Sequence, residues 1–93
     1  MDSYTWDVLG WLVMANQPIS PAARAFGVRV RARRQELSKS QEQLAEDRGL
    51  HWTYVGQVER GRRNISLHNI LKIAGGLAID PGELMRGLTH PAE

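Results

Sequence analysis

No cysteine occurs in this 93-residue chain. Disulfides, thiolate metal sites and a cysteine nucleophile are thereby excluded, and the composition suits a reducing, cytoplasmic setting. No run of 18 apolar residues is present, so no membrane-spanning helix is expected. Lysine and arginine are missing before Arg24, while Asp2 and Asp7 stand near the start. A secretory leader opens on basic residues and is not expected here. His51, His68 and His90 do not fall at metal-ligand spacings, no carboxylate cluster accompanies them, and no GxxxxGK phosphate loop occurs. The chain therefore does not read as an enzyme, and neither a metal nor a cofactor is expected. Strand-like alternation, internal repeats and low-complexity tracts are absent too.

What is present is a segregated charge. Residues 1–23 hold two acids and no base, residues 24–63 hold ten bases against five acids, and residues 64–93 hold two bases against three acids. A basic middle between weakly acidic ends points to an anionic partner, with a phosphate backbone the obvious one; a solvated helical surface gives the same pattern. Apolar residues make up 42% of the chain, enough for one small core and no more.

The periodicity is helical throughout. Residues 3–15 suit a short helix weakened by Gly10 and ended by Asn16-Gln17-Pro18. Ser20-Pro21 is an N-cap followed by a first-turn proline, opening a helix from Pro21 to about Leu37 with Phe26, Val30 and Leu37 inward. Ser40 and Gln43 have capping-box spacing, which starts a helix from Gln41 to Arg48 with Leu44 and Ala45 inward. Gly49 stops it. A further helix runs from Trp52 to Arg60 with Val55 and Val58 inward, and Gly61 closes it. Another takes Leu67 to about Gly75, burying Leu67, Ile70, Leu71 and Ala74, and Asp80-Pro81 opens a last short helix whose Leu84 and Met85 close the core. The expectation is an all-α domain of five or six short helices over residues 21–88, an N-terminal extension over 1–20 and a tail over 89–93.

Two short helices joined by a glycine-containing turn, over residues 40–61, form the physical unit of a helix-turn-helix. At these residues the sequence resembles the Cro/C1-type helix-turn-helix family of phage repressors and their bacterial relatives. The likeness rests on Leu37 with Ser40-Gln41, Leu44-Ala45, Gly49, Thr53-Tyr54-Val55, Val58-Glu59-Arg60-Gly61, Arg63-Asn64, Ser66-Leu67 and the run from Ile70 to Leu77. The run TYVGQVERGRRNISL also resembles the controller proteins of restriction-modification systems.

This resemblance implies a compact five-helix, lambda-repressor-like domain that binds double-stranded DNA and regulates transcription, with the helix at 52–60 in the major groove. It places Trp52, Thr53 and Gln57 at base-reading positions, Gln57 facing adenine N6 and N7 or else lying on a solvated helix face. Thr53 faces a thymine methyl or a polar base edge; Trp52 packs on the DNA or leans on its own domain. Gln41 is placed to donate to a phosphate at a helix N-terminus. His51 contacts phosphate or caps its helix, and Arg29, Arg60, Arg63 and Asn64 fit backbone clamps. Arg34 and Glu59 match a mostly buried ion pair, Tyr54 packs, and Lys39 and Lys72 are solvated. Departures from the family pattern are Arg48, whose stem is expected to cover the core, Gly56 inside the recognition helix, which allows close approach to DNA, and Ala78 where glycine is usual.

Family members usually dimerise on a two-fold operator, and Leu77, Ile79, Leu84 and Met85 are the candidates for that interface. Residues 1–20, with Tyr4, Trp6 and Trp11, suit a dimer arm or a protein-docking segment as well as a helix folded on its own domain. A second function stays open: an antitoxin or other interaction module that sequesters a partner and represses its own operon.

Overall fold

A computed structural model describes residues 17–90 of the chain. Among them five helices follow in order: α1 (Pro21–Glu36), α2 (Gln41–Asp47), α3 (Trp52–Glu59), α4 (Leu67–Gly76) and α5 (Pro81–Met85). No strand occurs among the described residues. The helix expected over residues 3–15, and the role given to that arm, lie outside them.

Each helix begins where a side chain can accept an orphan N–H. Ser20 Oγ accepts from the Ala23 N–H at 3.0 Å, Ser66 Oγ from Asn69 at 3.2 Å and Asp80 Oδ2 from Gly82 at 2.9 Å. At α2 the capping box is complete: Gln43 N–H donates to Ser40 Oγ at 3.0 Å, and Ser40 N–H to Gln43 Oε1 at 2.7 Å. Two helix ends are tied down by three basic side chains that thread between elements. Arg33 Nε donates to the Leu77 carbonyl at 2.9 Å, and Lys39 Nζ to that of Gly76 at 2.9 Å, closing α4. Arg29 Nη1 donates to the carbonyls of Leu84 and Arg86 at 3.1 and 2.7 Å, closing α5. Cations at helix C-termini also meet the negative end of the macrodipole.

The core is made by Phe26 and Val30 of α1, Leu44 and Ala45 of α2, Val55 and Val58 of α3, Ile70, Ile73 and Ala74 of α4, then Leu77 and Leu84. Helix α3 packs on both α1 and α2, and α5 leans on α4 and α1. Several expectations change here. Leu67, Leu71 and Met85 are 72%, 50% and 42% exposed and take no part in the core. Ile73 fills the place assigned to Leu71, because α4 is turned so that Ile70, Ile73, Ala74 and Leu77 share the inward stripe. Leu77 and Leu84 are 0% and 1% exposed, so they belong to the core and leave no surface for a dimer interface. Helix α4 runs through Gly76, one residue past the expected end. The missing side chains make room for Arg48, whose Cγ would stand 3.1 Å from a methyl group on Gly76, and for Leu44, whose Cδ1 would stand 2.5 Å from it.

Ala78 follows α4 with φ at +50°, in the left-handed region. That region costs an L-residue with a Cβ roughly 1–2 kcal/mol and costs glycine little. Ala78→Gly is therefore expected to stabilise the domain by up to ~1 kcal/mol, because the gain is partly offset by the greater freedom of glycine in the unfolded chain. A raised urea midpoint with an unchanged slope would be the sign of it.

Candidate nucleic-acid interface

The α2–α3 unit is built from its turn outward. Gly49 adopts φ +66° with nothing within 4 Å of where a Cβ would be, so it is needed for backbone conformation and not for space. Leu50 N–H then donates to the Ala45 carbonyl at 2.9 Å, which folds the chain back for α3. His51 caps α3: its Nδ1 accepts from the Thr53 N–H at 3.2 Å and lies 2.7 Å from Thr53 Oγ1. A ring nitrogen that accepts a backbone N–H carries no proton, so the Thr53 hydroxyl is the donor in the second bond. The Trp52 ring stacks beside His51, with centroids 6.0 Å apart and planes at 25°, and still shows about half its surface to solvent. Of the two roles open to His51, the structure gives it the cap.

The outward face of α3 thus presents Trp52, Thr53 and Gln57. Gln57 is half-buried, and its Oε1 accepts from Arg63 Nε at 2.6 Å. The Arg63 guanidinium carbon sits 5.4 Å from the Tyr54 ring centroid, within cation–π range. The Tyr54 hydroxyl accepts from Asn69 Nδ2 at 3.0 Å. Gln41 stands at the first position of α2, and its Oε1 would lie 3.3 Å from a methyl group on Gly56, as would Arg60 Nη1. Gly56 is buried beneath these two side chains. Its missing Cβ lets Gln41 and Arg60 converge over α3, a different reason from the approach to DNA expected of it.

Behind this face lies the Arg34–Glu59 ion pair. Arg34 Nε and Nη2 donate to the two Glu59 carboxylate oxygens at 2.6 and 2.9 Å, and Arg34 Nη1 donates to the Lys39 carbonyl at 2.9 Å. Gln41 Nε2 adds a third bond to the carboxylate at 3.1 Å. The hydrogen bonds to Glu59 raise the Arg34 pKa above its ordinary value, outweighing the opposing effect of burial. The planar guanidinium matches the carboxylate two bonds to two.

Residues 30–84, spanning this unit and the helices that carry it, match the helix-turn-helix family model. The chain is a helix-turn-helix protein of the Cro/C1 type. It is 48% identical over 61 residues to the control protein C.BamHI of Bacillus amyloliquefaciens, covering 64% of this chain and 75% of that one. It is similar to the solved restriction-modification controller protein C.AhdI of Aeromonas hydrophila, with 53% identity and a TM-score of 0.65 over 67% of this chain and 94% of the other. A third likeness, at 26% identity and TM-score 0.67 over 74% and 91% of the two chains, is to the controller C.Esp1396I, solved as a tetramer in complex with its natural 35-base-pair operator.

Within this helix-turn-helix protein the anticipated contact residues divide. Trp52, Thr53, Gln57, Gln41 and Arg60 gather on or beside the outer face of α3, and Arg63 and Asn64 follow on the exposed stretch after it. Arg29 does not join them: both its bonds go to carbonyls at the end of α5, so its assignment as a phosphate clamp is replaced by a structural one. Lys39 is likewise bound, to Asp47 at 3.0 Å and to the Gly76 carbonyl. Tyr54, Arg63 and Asn69 form a chain of contacts with Gln57 that sequence reasoning missed for Asn69. The separation of 15 residues between Tyr54 and Asn69 carries no periodic signal.

Proposed function

We propose that this protein is a sequence-specific transcriptional regulator that reads double-stranded DNA by laying α3 in the major groove, as a homodimer on an inverted repeat. The observation that carries this reading is the outer face of α3, where Trp52, Thr53 and Gln57 stand clear of the core. Gln41 and Arg60 converge at its edge. A helix of this size fits the groove, and side chains at these positions meet base edges while the flanking groups meet phosphates. The operator complex of the similar C.Esp1396I tetramer supports both DNA binding and assembly. A second copy has an apolar surface to occupy: Leu67 and Leu71 lie one turn apart on the same face of α4, and Met85 is exposed on the neighbouring α5. Leu67 and Leu71 take the place of Leu77 and Leu84 as interface candidates, beside Met85 and the half-buried Ile79. The role is binding, not catalysis, and its place is the cytoplasm, where the DNA is.

Selection of bound duplexes from a random pool tests this, with wild type and Gln57→Ala run side by side. Wild type is expected to recover an inverted repeat with half-sites about one helical turn apart. Gln57→Ala should relax one position per half-site, a loss of roughly 1–3 kcal/mol of discrimination there. Binding without any enriched sequence would leave only phosphate contacts, and failure to bind at low salt would overturn the reading.

A further inference from the structure

We propose that Arg63 sets which base Gln57 reads: held by Arg63, Gln57 selects guanine and not adenine. The inference rests on α3 reading DNA as set out above, and deepens it. A free glutamine amide suits adenine, accepting from N6 through its oxygen while donating to N7 through its nitrogen. Here one of the two lone pairs on that oxygen is already used, by the cation Arg63. Arginine Nε is a donor only, so the Gln57 atom 2.6 Å from it is the carbonyl oxygen, and the NH2 group is the end left for the groove. The guanidinium is itself held in place. It lies 5.4 Å from the Tyr54 ring centroid, and the Tyr54 hydroxyl accepts from Asn69, whose own N–H is bound by the Ser66 cap.

Apart from the second lone pair of that oxygen, which lies beside the guanidinium charge, the hydrogen-bonding capacity that remains on the pair is donor in character: the Gln57 amide N–H groups and the terminal nitrogens of Arg63. Guanine is the one base whose major-groove edge carries two acceptors, O6 and N7, and no donor. Adenine would bring its N6 amino group against a carbonyl already bonded and beside a full positive charge. Cytosine offers its amino donor, and thymine a single acceptor. Arg63 is thus a positioning residue for Gln57 as well as a cation near the backbone, and the two roles separate in one experiment.

Random-pool selection is run on wild type, Gln57→Ala and Arg63→Ala at the same salt. Arg63 is exposed, so its removal leaves the fold intact, which circular dichroism checks. Wild type is expected to favour guanine over adenine about ten-fold at the position that Gln57→Ala relaxes. Arg63→Ala should shift that one position from guanine towards adenine, because the freed amide oxygen no longer sits against a cation and can turn to N6. Weaker binding to all sequences with guanine still preferred in Arg63→Ala would make Arg63 a phosphate clamp only and overturn the proposal. Adenine enriched by the wild type would overturn it as well, while leaving the DNA-reading function standing. No enrichment by any of the three proteins would remove that function and this inference with it.

Discussion

Gly27→Ala is expected to destabilise the domain by about 3 kcal/mol, near the top of the usual range for overpacking. Gly27 sits in the middle of α1, buried, where α1 crosses the last turn of α3. A methyl group there would lie 2.3 Å from the Val58 carbonyl oxygen, 2.5 Å from that of Glu59 and 2.7 Å from the Glu59 carbonyl carbon. All three are backbone atoms, so no side chain can rotate away and one helix must move. The ~1 kcal/mol that alanine gains over glycine inside a helix does not offset this. The movement falls on α3, whose placement decides what its outer face meets. Urea unfolding should therefore show a lowered midpoint, and the folded fraction should bind its operator more weakly. Val28→Ala is the control: its neighbour on α1 is 55% exposed, and truncation there should change both by little. Equal stability of the two variants would show that α1 and α3 can separate without cost.

The glycine is a readable signal in the sequence. Glycine inside a helix is unfavourable, so its presence at position 27 marks a close approach, as it does at Gly56. What local pattern cannot supply is the partner, which in one case is the backbone of α3 and in the other the side chains of Gln41 and Arg60. The same division runs through the fold. The caps at Ser20, Ser40, Ser66 and Asp80 are visible in sequence because each spans two or three residues, and helix starts followed from them. The places of Leu67, Leu71, Leu77 and Met85 are not legible because periodicity identifies an apolar helix without fixing how it is turned against its neighbours. Arg29 was misread because a basic residue near a DNA-binding unit looks the same in sequence whether it meets a phosphate or, 55 and 57 residues away, two carbonyls. The Arg34–Glu59 pair was legible only through the family likeness, since 25 residues separate its members.

Glu59→Gln is expected to cost about 3–5 kcal/mol, the scale for breaking a buried pair by altering one partner. The side chains of Arg34 and Glu59 are 12% and 3% exposed, so water cannot replace what is lost. An amide in place of the carboxylate keeps the shape but removes the charge, and it turns a donor towards one of the two Arg34 nitrogens that need an acceptor. Small domains have only about 5–15 kcal/mol in all, so this variant should be partly unfolded at room temperature. Arg34→Met should lose a similar amount, leaving the carboxylate buried with Gln41 alone. The double variant Arg34→Met/Glu59→Met should recover most of the stability, because an apolar pair of similar volume often matches a buried ion pair. A double-mutant cycle would read the coupling directly. High salt should leave that coupling largely intact while weakening the exposed Arg33–Glu36 and Lys39–Asp47 pairs. Stability alone, then, does not explain why charge is placed here. Glu59 receives bonds from Arg34 of α1 and Gln41 of α2 while belonging to α3, so one carboxylate fixes the rotation of the reading helix against both of its supports. Methionines would hold α3 by contact without direction. The apolar double variant should therefore fold and still bind DNA, but discriminate less between its selected operator and duplexes altered at one base pair. Undiminished discrimination by that variant would show that packing alone orients α3 and that the ion pair has no part in recognition.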